Sequence, residues 1–116
     1  MLTSPFDIVR SHNVAIVDIH APHLKPAEAQ ELVAELADSV RYDNVQYFVL
    51  DMHGVRSICS QALASLLTFA RDLEHVRGRV ALANCQPAVA SVFKVTRLNL
   101  IFELCDDVAE ARAMFG

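Results

Sequence analysis

The chain has 116 residues, of which 53% are hydrophobic and 21% charged, and its formal net charge is −4. That length suffices for one compact domain with a single core, and the composition is too apolar for a disordered segment. The ten Lys and Arg residues are scattered singly along an acidic chain, which argues against a nucleic-acid partner, since that would require a basic patch.

"FDIVR" (Phe6 to Arg10) and "VAIVDI" (Val14 to Ile19) are short and rich in β-branched residues, and "SHN" between them suits a hairpin turn. "APHLKP" interrupts the pattern with Pro22 and Pro26. "AEAQELVAELADSV" then places Leu32, Val33, Leu36 and Val40 on one helical face, with acids near its start that complement the helix dipole. "VQYFVL" (Val45 to Leu50) is almost wholly apolar, the pattern of a strand buried on both faces in a parallel sheet.

Next comes "VRSICSQALASLL" (Val55 to Leu67). Ser57, Cys59 and Ser60 precede a helix with Leu63, Leu66, Leu67, Ala70 and Leu73 at helical spacing. This helix is expected to stop near Gly78 in the left-handed conformation. "RVALANC" (Arg79 to Cys85) reads as another strand. Pro87 suits the start of a helix that carries Val89, Val92 and Phe93. "LIFEL" (Leu100 to Leu104) reads as the last strand, and "DDVAEARAMF" as a closing helix with Asp106 at its N-cap. Strands separated by helices imply right-handed parallel crossovers. The expected fold is therefore α/β, a single domain over residues 1–116. It has a mixed, mostly parallel sheet of about five strands, about four helices and an opening β-hairpin.

"MLTSPFDIVR" lacks the basic-then-apolar pattern of a signal peptide, and no apolar run approaches the roughly 20 residues of a membrane helix. A cytoplasmic protein with no membrane partner is expected. Three cysteines without a CxxC pair make neither a disulfide framework nor a thioredoxin or structural zinc motif. Three glycines, Gly54, Gly78 and Gly116, exclude GxGxxG and P-loop motifs. No cofactor and no metal site is expected.

Four segments in order resemble the STAS domain, the fold of bacterial anti-sigma factor antagonists. "FVLDMHGVRSI" resembles the family's strand followed by "D-L-S-G-V-x-F-I". "CSQALASLL" stands where the family has "D-S-[ST]-G-L-x-x-L". "GRVALANCQPAVASVFKVTRL" is similar to its "G-x-x-L-x-L-x-x-x-x-P-x-V-x-x-x-L-x-x-T-G-L", and "IFELCDDVAEA" to its closing segment. The resemblance spans essentially the whole chain and is strongest from Val45 to Ala111.

In that family, a serine after the motif's aspartate is phosphorylated by a partner that is both serine kinase and anti-sigma factor. The unphosphorylated antagonist captures the anti-sigma factor and frees the sigma factor. The resemblance places the phosphoacceptor at Ser60. It departs from the family pattern at Cys59 in place of aspartate, at Ala62 in place of glycine, and at Arg97 in place of the glycine of "T-G-L".

Spacing alone gives Ser60 a second reading, as the N-cap of its helix. Cys59, at a helix start, is open to a lowered pKa and reactivity, but the nearest cation in sequence is Arg56, which favours a quiet, partly buried thiol. Cys59, Cys85, Cys105, Asp51 and His53 each follow a strand expected to be parallel, which places them near the sheet's carboxyl edge, where α/β sheets bind ligands. Their long separations in sequence do not make a metal site. His12, His20, His23 and His75 read as loop or helix-surface residues.

Asp51 also suggests a different class, a two-component receiver domain with an acceptor aspartate ending a central strand. A receiver needs an acidic pair after its first strand and a lysine after its last parallel strand. Here the early strand supplies Asp18 alone, and the only lysines are Lys25 and Lys94. As a loop cap, Asp51 would orient the "MHGV" turn. No nucleophile, base and orienting group stand together as an enzyme requires. The expectation is a protein-binding domain whose partner surface comprises His53, Arg56, Ser57, Ser60 and Gln61. The partner is an anti-sigma factor with serine kinase activity, or a larger assembly that uses the domain as an unphosphorylated scaffold. The sequence leaves the oligomeric state open.

Overall fold

The computed structural model describes residues 4–115; residues 1–3 and Gly116, which the single-domain expectation also covers, lie outside it. Strands β1 (Phe6–Ser11) and β2 (Val14–Ile19) form the opening antiparallel hairpin, with Ser11 paired to Val14. The loop is therefore His12 and Asn13 alone, and His12 takes the left-handed conformation, φ 58°. A two-residue strand, β3 (His23–Leu24), precedes helix α1 (Pro26–Asp43). Strand β4 (Tyr47–Asp51), a second two-residue strand β5 (Ser57–Ile58) and helix α2 (Ser60–Leu73) follow. Strand β6 (Arg79–Ala83), helix α3 (Pro87–Val95), strand β7 (Glu103–Cys105) and helix α4 (Val108–Met114) complete the chain.

The main sheet has the order β1-β2-β4-β6-β7, and only the β1–β2 pairing is antiparallel. This is the mixed, mostly parallel five-stranded sheet with four helices expected from the sequence. Its two faces are both covered, which explains the continuous apolar runs of β4 and β6. Phe48, Leu50, Val80 and Leu82 point into a large core with Leu32 and Leu36 of α1, Leu66 and Phe69 of α2, and Val89 and Phe93 of α3. Val49, Ala81 and Ala83 point the other way and meet Ala111 of α4. Alanines on both sides of that contact let a seven-residue helix lie close to the sheet, and Tyr47 stacks on Phe115 at 4.8 Å.

Local details depart from the sequence expectations for identifiable reasons. β6 ends at Ala83 because Asn84 turns into the left-handed region, φ 59°. Leu100, the first residue of "LIFEL", instead ends the 3₁₀ turn Leu98–Leu100 and is exposed, so the last strand is Glu103–Cys105. Asp107, not Asp106, caps α4, accepting from the Glu110 N–H at 2.8 Å. The left-handed stop after α2 and its 3₁₀ extension falls on Arg77, φ 59°. Gly78 is required for closeness instead. A Cβ there would lie 2.3 Å from the Gln46 carbonyl oxygen and 2.5 Å from Leu73 Cγ.

Candidate functional site

Parallel pairing sends β2, β4 and β6 to the same carboxyl edge, with Asp18, Asp51 and Ala83 in register across it. The backbone after Asp51 makes a compact loop before α2. Met52 and Val55 are fully buried and anchor it from below. The Val55 N–H bonds the Met52 carbonyl at 3.0 Å and closes the turn. His53, Arg56, Ser57, Ser60 and Gln61 are all exposed.

Asp51 organises the loop. Its Oδ1 accepts hydrogen bonds from the His53 N–H at 3.2 Å and from the Asn84 amide at 3.1 Å, and lies 3.0 Å from His53 Nδ1. Burial works to raise its pKa, but the hydrogen bonds from Asn84 and His53 outweigh it and hold the carboxyl below its ordinary value. This is the loop-capping role that spacing allowed for Asp51. Asp18, its register partner, brings a second carboxylate to within 3.7 Å of His53 Nδ1. Asp18, Asp51 and His53 offer donor atoms within 4.8 Å of one another, the one described group with such a spacing. Sequence separation hid this cluster, because Asp18 and Asp51 meet only through the β2–β4 register.

The far side of the loop is held by the β3–β5 ladder, which the sequence reading missed entirely. His23 and Ser57 pair in it, and Ser57 Oγ lies 2.7 Å from His23 Nδ1. His23 thus belongs to a strand beside the candidate site rather than to a plain loop. Strands of two residues have no periodicity to detect.

The start of α2 also differs from expectation. Cys59, not Ser60, is the N-cap, with extended backbone (φ −81°, ψ 162°), and its Sγ accepts from the Ala62 N–H at 3.4 Å. Ser60 is the first helical residue, exposed, and among the described residues its hydroxyl has no hydrogen-bond partner. Capping by the residue before it leaves that hydroxyl free. Elsewhere on this edge, Cys85 and Cys105 line a cavity of about 300 Å³ with Asn84, Lys94 and Asp106. Burial pushes the Cys85 thiol up to about 11 and raises that of Cys105, which keeps both protonated and unreactive at neutral pH. Lys94 stands on α3, so no lysine follows the last parallel strand as a receiver requires.

Fold and loop together define a class: a small α/β domain that presents a free serine where a helix begins beside the central strand. The chain belongs to the STAS domain family, whose model matches residues 5–111. It is 33% identical over 89 residues to BtrV of Bordetella bronchiseptica, named as an anti-sigma factor antagonist; the alignment covers 77% of this chain and 76% of BtrV. A STAS-domain anti-sigma-factor antagonist from Planctomyces limnophilus superimposes with a TM-score of 0.84 at 15% identity, covering 99% of this chain and 100% of that one. The Bacillus cell fate determinant SpoIIAA in its phosphorylated form gives 0.75 at 18% identity, covering 96% and 99%. Its unphosphorylated form gives 0.78 at 19% identity, covering 94% and 92%. At these identities the structural likeness is one of fold. Among the described residues, no helix is long and apolar enough to cross a membrane.

Proposed function

We propose that this chain, residues 1–116 acting as a single domain, is an anti-sigma factor antagonist that docks an anti-sigma factor in the cytoplasm. His53, Arg56, Ser57, Ser60 and Gln61 form the contact surface, and phosphorylation of Ser60 by a partner with serine kinase activity switches it off. The domain works by binding and performs no catalysis. Neither nucleic acid nor a membrane is its partner.

The observation that carries this reading is the exposed, unengaged Ser60 hydroxyl at the first position of a 14-residue helix. A phosphate there lies at the positive end of the helix, so the fold tolerates it. The added charge of about −1.5 to −2 acts instead on any partner seated on the surface. No large conformational change is required. A second reading, an unphosphorylated scaffold in a larger assembly, is favoured by Cys59, which stands where the family motif has aspartate.

Incubation with ATP and a purified histidine-kinase-like anti-sigma factor from the same organism, followed by mass spectrometry, tests the switch. Phosphate is expected on Ser60, with Ser60→Ala binding the partner and Ser60→Asp binding at least tenfold more weakly. An unmodified Ser60, together with equal binding by both variants, refutes the switch. Phosphate on Asp51, lost in alkali, would instead support receiver chemistry.

A further inference from the structure

The loop that carries Arg56 is clamped on both sides by segments remote in sequence. On one side, the Arg56 and Ser57 N–H groups both reach the Pro22 carbonyl, at 2.6 and 3.2 Å, and the Cys59 N–H reaches the Leu24 carbonyl at 3.2 Å. On the other, the Met52 N–H reaches the Ala83 carbonyl at 2.8 Å. There Gln86, between β6 and α3, donates its side-chain amide to the His53 carbonyl at 3.0 Å. Gln86 spends its donor on the backbone of an exposed loop, so its bond orders surface rather than core. A polar loop held in this way loses little freedom when a partner arrives, which is how preorganisation raises affinity.

The charges on this edge have a definite arrangement. His20 pairs with Asp7 at 2.7 Å, and His53 lies between Asp51 and Asp18. Arg56 is exposed, and among the described residues its side chain makes neither an ion pair nor a hydrogen bond. An unpaired guanidinium carried on an immobilised backbone is available to a carboxylate, which it binds in a bidentate fork.

We propose that the docking surface is composite, comprising residues 20–24, 52–61 and 84–86, and that it fits an acidic protein face through Arg56, with Gln86 as the positioning residue for the His53–Arg56 turn. This rests on the anti-sigma factor reading above and adds the chemistry of the partner and the extent of the surface.

The test measures dissociation constants of the protein for that anti-sigma factor at 50, 150 and 300 mM NaCl. Affinity is expected to fall with salt, because a charged contact is screened. Arg56→Glu is expected to weaken binding at least tenfold, whereas Arg41→Glu, in the last turn of α1, leaves it unchanged. Gln86→Ala is expected to weaken binding severalfold at an unchanged melting temperature. Gln86→Met, which keeps the length and neutrality of the side chain but has no N–H donor, is expected to weaken it equally. Salt-independent affinity, or equal binding by Arg56→Glu, overturns the acidic-partner assignment. Wild-type affinity in both Gln86→Ala and His23→Ala overturns the composite surface while leaving the anti-sigma factor reading intact. Absence of wild-type binding overturns both.

Discussion

Replacing Cys59 by Asp tests the account of how α2 begins. The native cap is a thiol sulfur 3.4 Å from the Ala62 N–H, a weak acceptor at long range, and the first turn of α2 contains no acidic residue. Asp in the same extended backbone conformation supplies a strong acceptor, worth about 1 kcal/mol over a poor cap. Its charge at the helix N-terminus adds roughly 0.3–1 kcal/mol. With an unfolding entropy of about 2.1 cal/mol/K per residue, each 1 kcal/mol moves the melting temperature of a domain this size by about 4 °C. Cys59→Asp is therefore expected to melt about 5–8 °C higher by circular dichroism, with the urea m-value unchanged.

The gain should also depend on pH. The helix end lowers the folded pKa of the introduced carboxyl. The added stability is then fully present above the unfolded aspartate value of about 3.9, and it is lost as pH falls through the lowered folded value. A Cys59→Asp protein no more stable than wild type at pH 7, or one whose gain persists at pH 2, refutes the capping geometry.

Other consequences of the structure are open to direct measurement. Asp51→Ala removes an acceptor shared by His53 and Asn84 and is expected to cost about 1–3 kcal/mol at neutral pH. Because the folded pKa of Asp51 is lowered, that cost should shrink as pH falls through the folded value, as urea titrations at several pH values would show. Gly78→Ala forces a Cβ against the Gln46 carbonyl and Leu73 and is expected to cost about 1–3 kcal/mol, more than Arg77→Gly at the true left-handed position. A Gly78→Ala change within a few tenths of a kcal/mol of neutral would remove the close-approach argument. The His20 pKa is raised, chiefly by its hydrogen bond to Asp7. Its contribution is thus present below about 6.5 and lost as pH rises through the folded value. Asp7→Asn should lower the His20 pKa in an NMR titration.

The architecture was legible because its signals are local. Continuous apolar runs at β4 and β6, a 3.6-residue stripe on α2 and the proline at the start of α3 each follow from neighbouring residues. Element ends were less legible, since they turn on single residues. Cys59 outcompetes Ser60 as cap, and Arg77 takes a conformation that composition alone would give to Gly78.

The site was half legible. Its five exposed residues lie in one stretch of sequence, but their supports do not. Asp18, His23, Asn84 and Gln86 reach the loop through strand register and crossover connections. No local pattern announces such contacts, because each depends on a pairing more than 30 residues away in the chain.

The most direct test of the central claim, that residues 52–61 form the docking surface, is an amide NMR titration of the labelled protein with the proposed anti-sigma factor partner. The account predicts that the largest shift changes and broadening cluster on His53, Arg56, Ser57, Ser60 and Gln61, with wild-type-like spectra around the Asn44–Gln46 turn at the opposite edge of the sheet. Perturbations centred on that opposite edge, with residues 52–61 unmoved, would contradict it.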